Sequence, residues 1–391
     1  MENKNIKHTV IIPSYNTLYH LKNTYDSLVK YGGDVSIIII DDASEDGTKE
    51  WLDTLQNKNL QTIISPTRRG HTYWYDEGMR QSNTEVVSIL HSDMVIGPNY
   101  FENLLKHLVP GTVVCATRIE PPIHPAGKEK VVKDFGTEAD TFSMKGFEDF
   151  VYEQQIQDKD RTTKGIFAPW MLYKKDHLNL GGHDQRFAPY GYEDSDIFNR
   201  WILAGYSMIQ SRDSLCYHMT CRGHKWNKGV GIENKDYKAT MSRCQREFLR
   251  KWGDWIQNDE FQYPIINPKY DIGFKVSNCG PDLLNALEPW CSTILIDDEM
   301  QVITSHYLDK EQPNTIINLS NKIKTTPFDG LENEIVVEID AASFHQQDFR
   351  TIQVLSQIIQ ESGEIGEFEL GNLKVTIKEM NEYQNDLIHI K

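Results

Sequence analysis

The stretch FAPYGYEDSDIFNRW, residues 187–201, sets three carboxylates, Glu193, Asp194 and Asp196, between an aromatic, glycine-containing turn and an amphipathic helical pattern. Acids in a first helical turn sit against the positive end of the helix dipole, and Asp is a good N-cap, so the cluster has a purely structural explanation. It also has a chemical one, because a carboxylate held at such a turn can take the proton of an attacking hydroxyl. Polar groups recur after three short apolar runs: PSYN at 13–16, DDASEDGT at 41–48 and HSDM at 91–94. Any one of these could merely cap a following helix. Three together, each at the end of a strand, point to one edge that binds a ligand.

The elements that must position these groups alternate. Residues 10–12, 35–40, 62–64 and 86–90 read as buried strands, with helical patterns near 18–31, 46–56 and 72–82 between them. That alternation predicts an α/β fold built on a mostly parallel sheet with right-handed crossovers, whose ligands bind at the carboxyl ends of the strands. Further strands are expected at 112–116 and 208–210, a helix from about Asp194, and long loops or an excursion over the sheet edge at 121–163. Pro264 and Pro268 suggest a linker over 257–270, which divides a first domain, 1–256, from a smaller C-terminal α+β domain, 271–391. There, STILIDD, QVITSHY, TIINLS and NEIVVEID look like strands, 348–361 has helical periodicity, and FELGNLKVTI reads as a hairpin turning at Gly371-Asn372.

Composition narrows the partners. The 391 residues suit two domains, and 41 Lys plus Arg against 57 Asp plus Glu leave a formal charge of −16, which disfavours nucleic acid and anionic lipid. No apolar run approaches the ~20 residues of a membrane span. The opening MENKNIKHTV has no hydrophobic segment to act as a secretory signal, so a cytoplasmic location is expected, the host's cytoplasm if the chain is viral. Six scattered cysteines fit reduced thiols, and Cys216, His218, Cys221 and His224 match none of the common paired-cysteine zinc spacings. An acid after the second strand raises the possibility of a dinucleotide enzyme, but IPSYNT lacks the glycine-rich turn that such an enzyme needs after its first strand, and no P-loop is present.

Taken in order, TVIIPSYN, IIIIDDASEDGT, ILHSDMV and GGHDQRFAPYGYEDSDIFNRWILAGY resemble family 2 glycosyltransferases, the inverting nucleotide-sugar enzymes of GT-A fold, over about residues 7–252. The resemblance implies that Pro13, Tyr15 and Asn16 border the nucleoside and that Asp41 and Asp42 hydrogen-bond the base and ribose. Asp93, with Ser92 beside it, falls on the last acid of the family's Asp-X-Asp signature, which holds Mn2+ or Mg2+ against the sugar diphosphate. His91 replaces the first acid, and His218 resembles the histidine that completes the metal site, with His224 as substitute. Asp194 falls on the catalytic base and Glu193 on a residue that orients the acceptor. In RRGHTYWYDEGM, Asp76 stands where the family usually has asparagine, and Arg69 could meet the diphosphate. Trp170, Tyr190 and Tyr192 are candidates for stacking against the acceptor sugar.

The expected activity is metal-dependent, inverting transfer of a sugar from a nucleotide-diphospho-sugar, a UDP-sugar in the first instance, to a hydroxyl on a glycan, lipid-linked or protein acceptor. Chemistry asks for the same set: a divalent ion for the departing diphosphate and one base opposite it. Two rivals stand beside it, a nucleotidyltransferase and a noncatalytic carbohydrate-binding or assembly protein. The C-terminal domain could recognise an acceptor or support homo-oligomerisation through its edge strands.

Overall fold

A computed structural model describes residues 7–226, 230–326 and 330–390. The β-branched runs at the start become central strands because such side chains fill a sheet covered on both faces. Strands β1 (His8–Ser14) and β2 (Ser36–Asp41) are buried almost throughout and pair in parallel, Val10 opposite Ile37 and Ile12 opposite Ile39. Helix α1 (Leu18–Tyr31) turns Leu21, Thr24, Tyr25 and Leu28 inward, a stripe of helical period. The alternation continues through α2 (Thr48–Leu52), β3 (Leu60–Ile64), α3 (His71–Gln81) and β4 (Val86–Ile89). Then follow β5 (Met94–Ile96), α4 (Tyr100–Leu105), β6 (Thr112–Glu120), β7 (Lys130–Val132), α5 (Met144–Gln157), β8 (Thr162–Thr163), β9 (Trp170–Tyr173), α6 (Lys174–Leu178), α7 (Glu193–Leu203) and β10 (Ser207–His218).

The main sheet runs β3-β2-β1-β4-β9-β6-β10-β5, with β7 on β6 and β8 on β10. Its pairs are parallel except where β9, β5 and β8 take part. Two expectations need correction. The helix expected over 46–56 is only the five-residue α2. The stretch 121–163 contains α5, whose buried face is Phe147 and Val151, packed with Phe135, Leu215 and Tyr217. Two buried positions one turn apart are too few to register as a period in sequence.

The chain divides into two compact units, one comprising Met1–Met241, Asn258–Ile265 and His389–Lys391, the other Ser242–Gln257 and Ile266–Ile388. The division therefore does not follow the expected linker over 257–270. Helix α8 (Tyr237–Trp252) explains part of the difference: Arg250 bonds Glu288 at 2.7 Å and Glu311 at 2.6 Å, and Leu249 belongs to the second unit's core. On the other side, Glu260 pairs with Lys128 at 2.7 Å within the first unit. The short strands β11 (Gln257–Asn258) and β12 (Pro264–Ile265) lie in this stretch.

The second unit contains β13 (Ile272–Ser277), α9 (Pro281–Leu287), β14 (Thr293–Ile296), α10 (Val302–Glu311), α11 (Leu319–Lys322), β15 (Ile323–Thr325), β16 (Ile335–Asp340), α12 (Gln346–Gln353), α13 (Leu355–Ser362), β17 (Gly366–Leu370) and β18 (Leu373–Ile377). Its sheet runs β15-β14-β13-β16-β18-β17, parallel over the first four and antiparallel at β18. QVITSHY is not a strand but the start of α10, because Asp298 accepts hydrogen bonds from the Val302 and Thr304 N–H groups. Side-chain capping of this kind outweighs the β-branched content. TIINLS is likewise not a strand; Asn318 caps the short α11 through Asn321 N–H. The hairpin at Gly371-Asn372 is present. Among the described residues no helix is long and apolar enough to cross a membrane.

Candidate active site

Strand order reverses between β1 and β4, and the crevice at such a reversal is where open α/β sheets take ligands. A narrow cleft of about 70 Å³ lies there, walled by Pro13, Ser14 and Tyr15 at the end of β1 and by His91, Ser92 and Asp93 after β4. A chain of hydroxyls joins the walls: Ser14 Oγ to Thr17 Oγ1 at 2.9 Å and Thr17 Oγ1 to Ser92 Oγ at 2.9 Å. From α1, Thr24 Oγ1 donates to the Ser92 carbonyl at 2.9 Å, which fixes the His91–Asp93 turn from behind.

Asp93 is buried at the foot of the cleft. Its Oδ2 accepts Arg222 N–H at 3.1 Å, and His218 Nε2 lies 3.6 Å from its Oδ1. His91, Asp93 and His218 each offer a ligand atom, all within 4.8 Å of one another. Burial alone would raise Asp93, but His218, His91 and the Arg222 N–H hold it below its ordinary value. Burial, with His218 nearby, lowers His91 to about 3, so its imidazole is neutral with a lone pair available. His218 Nδ1 is bonded to Glu120 at 2.9 Å, an arrangement in which a carboxylate orients a ligating histidine. The donor set therefore fits a divalent ion, and two imidazoles with one carboxylate favour Mn2+ over Mg2+.

A larger cavity of about 790 Å³ adjoins the cleft, and His71, His91, Tyr190 and His224 line both. Glu193, Asp194 and His218 face this second space. The turn that delivers the acids is fixed from α3. Asp42 accepts N–H from Arg69 at 2.7 Å, from Gly70 at 2.8 Å and from the Trp74 indole at 2.7 Å. At Gly70 (φ 89°) any Cβ would lie 2.2 Å from the Pro189 carbonyl, so only glycine allows this close approach. His71, the next residue, meets Glu193 at 2.5 Å. Burial would raise Glu193, but His71 holds it below the carboxylate range. Burial, and then the charge of Glu193, pushes Asp194 up to about 7. Adjacent acids with environments that split them in this way suit one permanent anion and one proton acceptor.

Several expected residues lie elsewhere. Asp42 borders the cleft, but its carboxylate is engaged by the start of α3 as described. Asp41 accepts Ser44 N–H and faces a separate surface cavity with Glu45 and Ser65. Asn16 ties two loops together, its Oδ1 accepting Glu45 N–H at 2.8 Å. Arg69 lies over the Tyr73 ring at 3.8 Å, whereas Arg68 enters the cleft, 3.9 Å from the Tyr15 centroid. Trp170 is a core residue, fully buried and edge-on to Trp201 at 5.0 Å, so it offers no face to an acceptor. Tyr190 and Tyr192 do line the large cavity. Asp196 is buried and pairs with Arg200 at 2.8 Å, and Asp76 is buried between His177 at 2.8 Å and His183 at 2.7 Å.

Sequence reasoning missed Arg68, His71, Glu120 and Arg222. Only Glu120 left a signal: Arg118 and Glu120 alternate as the two charged residues at the end of an otherwise uncharged strand, and the β6–β10 register, Ile119 opposite Tyr217, brings Glu120 beside His218.

The family model "Glycosyl transferase family 2" matches residues 9–179, and "N-terminal domain of galactosyltransferase" matches 160–222. The uncharacterized glycosyltransferase YfnE of Bacillus subtilis (strain 168) is 24% identical over 254 residues, 54% of this chain and 64% of the relative. Validoxylamine A glucosyltransferase of Streptomyces hygroscopicus subsp. jinggangensis (strain 5008) is 22% identical over 236 residues, covering 53% and 54%. The chain thus spans less than two thirds of each of these relatives. Mannosyltransferase PcManGT from Pyrobaculum calidifontis, solved with GDP-Man and Mn2+, is similar at a TM-score of 0.41 and 20% identity, covering 56% of this chain and 59% of that one. Residues 9–179 thus form a glycosyl transferase family 2 domain.

Proposed function

We propose that this protein is a metal-dependent inverting glycosyltransferase, moving a sugar from a nucleotide-diphospho-sugar, a UDP-sugar in the first instance, to an acceptor hydroxyl. The observation that carries this reading is the adjoining placement of Asp93 and Asp194: the cleft and the large cavity share His71, His91, Tyr190 and His224, with one acid on each side. Pro13, Tyr15, Ser92 and Arg68 border the nucleotide. Asp93, His91 and His218 would hold Mn2+, which supplies charge stabilisation to the departing diphosphate. The acceptor sugar of a glycan, lipid-linked or protein substrate occupies the large cavity against Tyr190 and Tyr192.

In the reaction, an Asp194 carboxylate oxygen removes the proton from the acceptor hydroxyl. The hydroxyl oxygen forms a bond to the anomeric carbon as the bond from that carbon to the diphosphate breaks, and the diphosphate leaves with the electron pair. Attack opposite the leaving group inverts the centre, so an α-linked donor yields a β-glycoside. Glu193, anchored by His71, orients the acceptor and stays charged throughout.

The test is hydrolysis of UDP-sugars and GDP-sugars with Mn2+, alongside Mn2+ binding, for the wild type and Asp93→Ala. Metal-stimulated turnover that falls to background in Asp93→Ala, with metal affinity lost, supports the reading. Donor binding without turnover would instead favour a noncatalytic carbohydrate-binding role, and release of pyrophosphate from a nucleoside triphosphate and a sugar phosphate a nucleotidyltransferase.

A further inference from the structure

The charges on the wall of the large cavity bear on which acceptor it takes. Its volume of about 790 Å³ is in the range that holds a drug-sized ligand, more than one sugar ring. Five carboxylates line it against three Lys and Arg side chains, and those cations are already committed. Arg118 Nη1 pairs with Glu120 at 2.8 Å, its Nη2 lies 3.7 Å from Glu129, and its guanidinium sits 3.7 Å from the centroid of the Phe167 ring. Lys130 pairs with Glu120 at 2.9 Å and Lys128 with Glu260 at 2.7 Å. His71 is engaged by Glu193, and burial lowers His91 to about 3 and His224 to about 4, so both are uncharged. An anionic group brought to this wall would meet surplus carboxylate charge at short range, where repulsion discriminates strongly.

Hydrogen-bonding capacity on the same wall is unspent. Glu129 Oε2, Glu193 Oε2 and Thr220 Oγ1 are buried without a partner, in residues that are 6%, 6% and 1% exposed and that all line the cavity. Buried polar atoms are normally bonded, so three on one cavity point to a ligand that bonds them. They come from different elements: Glu193 opens α7, Glu129 precedes β7 and Thr220 follows β10. All three belong to the first unit. Two are carboxylate oxygens, which only accept, so the ligand must donate. The terminal torsion of a glutamate is soft, which lets Glu129 turn its free oxygen toward a ligand.

We propose that the acceptor is a glycan of two or more sugar units whose contacting units carry hydroxyl or amino groups and no phosphate, carboxylate or sulfate. Asp194 and Glu193 hold the reacting sugar, and Glu129 and Thr220 hydrogen-bond the next one. This rests on the glycosyltransferase reading and adds to it the class of acceptor.

The test is binding of the full chain, with Mn2+ and UDP present so that the metal's charge is met, to an array of neutral, amino and anionic mono- and oligosaccharides. Calorimetric titration follows with the best-bound disaccharide and its uronic-acid counterpart, for wild type, Glu129→Gln and Thr220→Val. The strongest signals should come from neutral or amino glycans of two or more units, with the uronic-acid form at least about tenfold weaker. Glu129→Gln should weaken binding roughly fivefold or more, as expected when a hydrogen bond to a charged group becomes one to a neutral group. Thr220→Val, which is isosteric and removes a hydroxyl without a partner in the fold, should weaken it about threefold or more at an unchanged thermal midpoint. If Glu129→Gln lowers the midpoint, Thr220→Val decides. Anionic glycans bound as tightly as neutral ones, monosaccharides as tightly as disaccharides, no glycan bound, or unchanged affinity in both variants would each overturn the proposal. Metal-stimulated donor hydrolysis, lost in Asp93→Ala, reports on the underlying reading separately: where it persists beside such a result, only the acceptor class falls, and where it is absent, both fall.

Discussion

Replacing Asp194 with Asn should inactivate the protein and stabilise it at the same time. Burial and the charge of Glu193 raise this carboxyl from its ordinary 3.8 to about 7. Between those pH values the folded state holds a proton that the unfolded chain has released, so stability falls as pH rises. The slope is about 1.4 kcal/mol per pH unit, and by pH 7.5 the penalty reaches on the order of 3–4 kcal/mol. An amide does not ionise, so the variant should match the wild type near pH 4 and exceed it at pH 7.5, each kcal/mol being worth about 2–4 °C in the thermal midpoint. Transfer should fall by about 10²–10⁴, the usual contribution of a general base. In the wild type only about 1% of the base is ionised at pH 5, so the rate there should be roughly a hundredfold below its plateau. Thermal denaturation at pH 4, 5.5 and 7.5, with initial rates over the same range, makes the comparison. An Asp194→Asn protein less stable than wild type at pH 7.5, a stability difference that ignores pH, or transfer near the wild-type rate would refute the reasoning.

Glu193→Gln removes the negative charge beside Asp194 and should move the acid limb of the rate profile to lower pH by about one unit; an unmoved limb would assign the raised value to burial alone. In the second unit, Glu288 is buried and bonded to Arg250 at 2.7 Å, Lys322 at 2.8 Å and Tyr307 at 2.9 Å, so Glu288→Gln should lower urea stability by about 3–5 kcal/mol. Lys322, Arg250 and their bonds outweigh burial and hold Glu288 well below its ordinary 4.5, so its contribution is present above that value and declines as pH drops beneath it, visible in an acid titration of stability. Trp170→Ala should destabilise by about 3–5 kcal/mol through a core cavity and leave the acceptor KM unchanged in the cold, whereas Tyr190→Ala should raise that KM.

The alternation of apolar runs and helical stripes was legible because β1, β2 and α1 are local patterns that burial imposes on neighbouring residues. Where burial rests on few side chains the pattern failed, as in α5 with Phe147 and Val151. In α10 a single capping acid, Asp298, outweighed a β-branched run. The unit boundary was misplaced for a related reason. Prolines at 264 and 268 mark interrupted secondary structure, while the side of α8 bearing Leu249 and Arg250 carries Ser242–Gln257 into the second unit.

Residue order alone determined that acids would stand at the carboxyl ends of a parallel sheet, since strand polarity and the turns after β1, β2 and β4 are local properties of the chain. Which of those acids face a cavity was decided only in three dimensions. Asp41 and Asp42 are adjacent, yet one faces a surface cavity and the other is spent on three N–H groups, two just before α3 and one in its first turns; Arg68 and Arg69 are adjacent, yet only the first enters the cleft. Neighbouring side chains on a turn point in different directions, and the choice between them depends on packing partners such as Pro189 and Tyr73 that are remote or on another face. The splitting of Glu193 from Asp194 is likewise tertiary, because it requires His71, 122 positions away, to lie against only one of them.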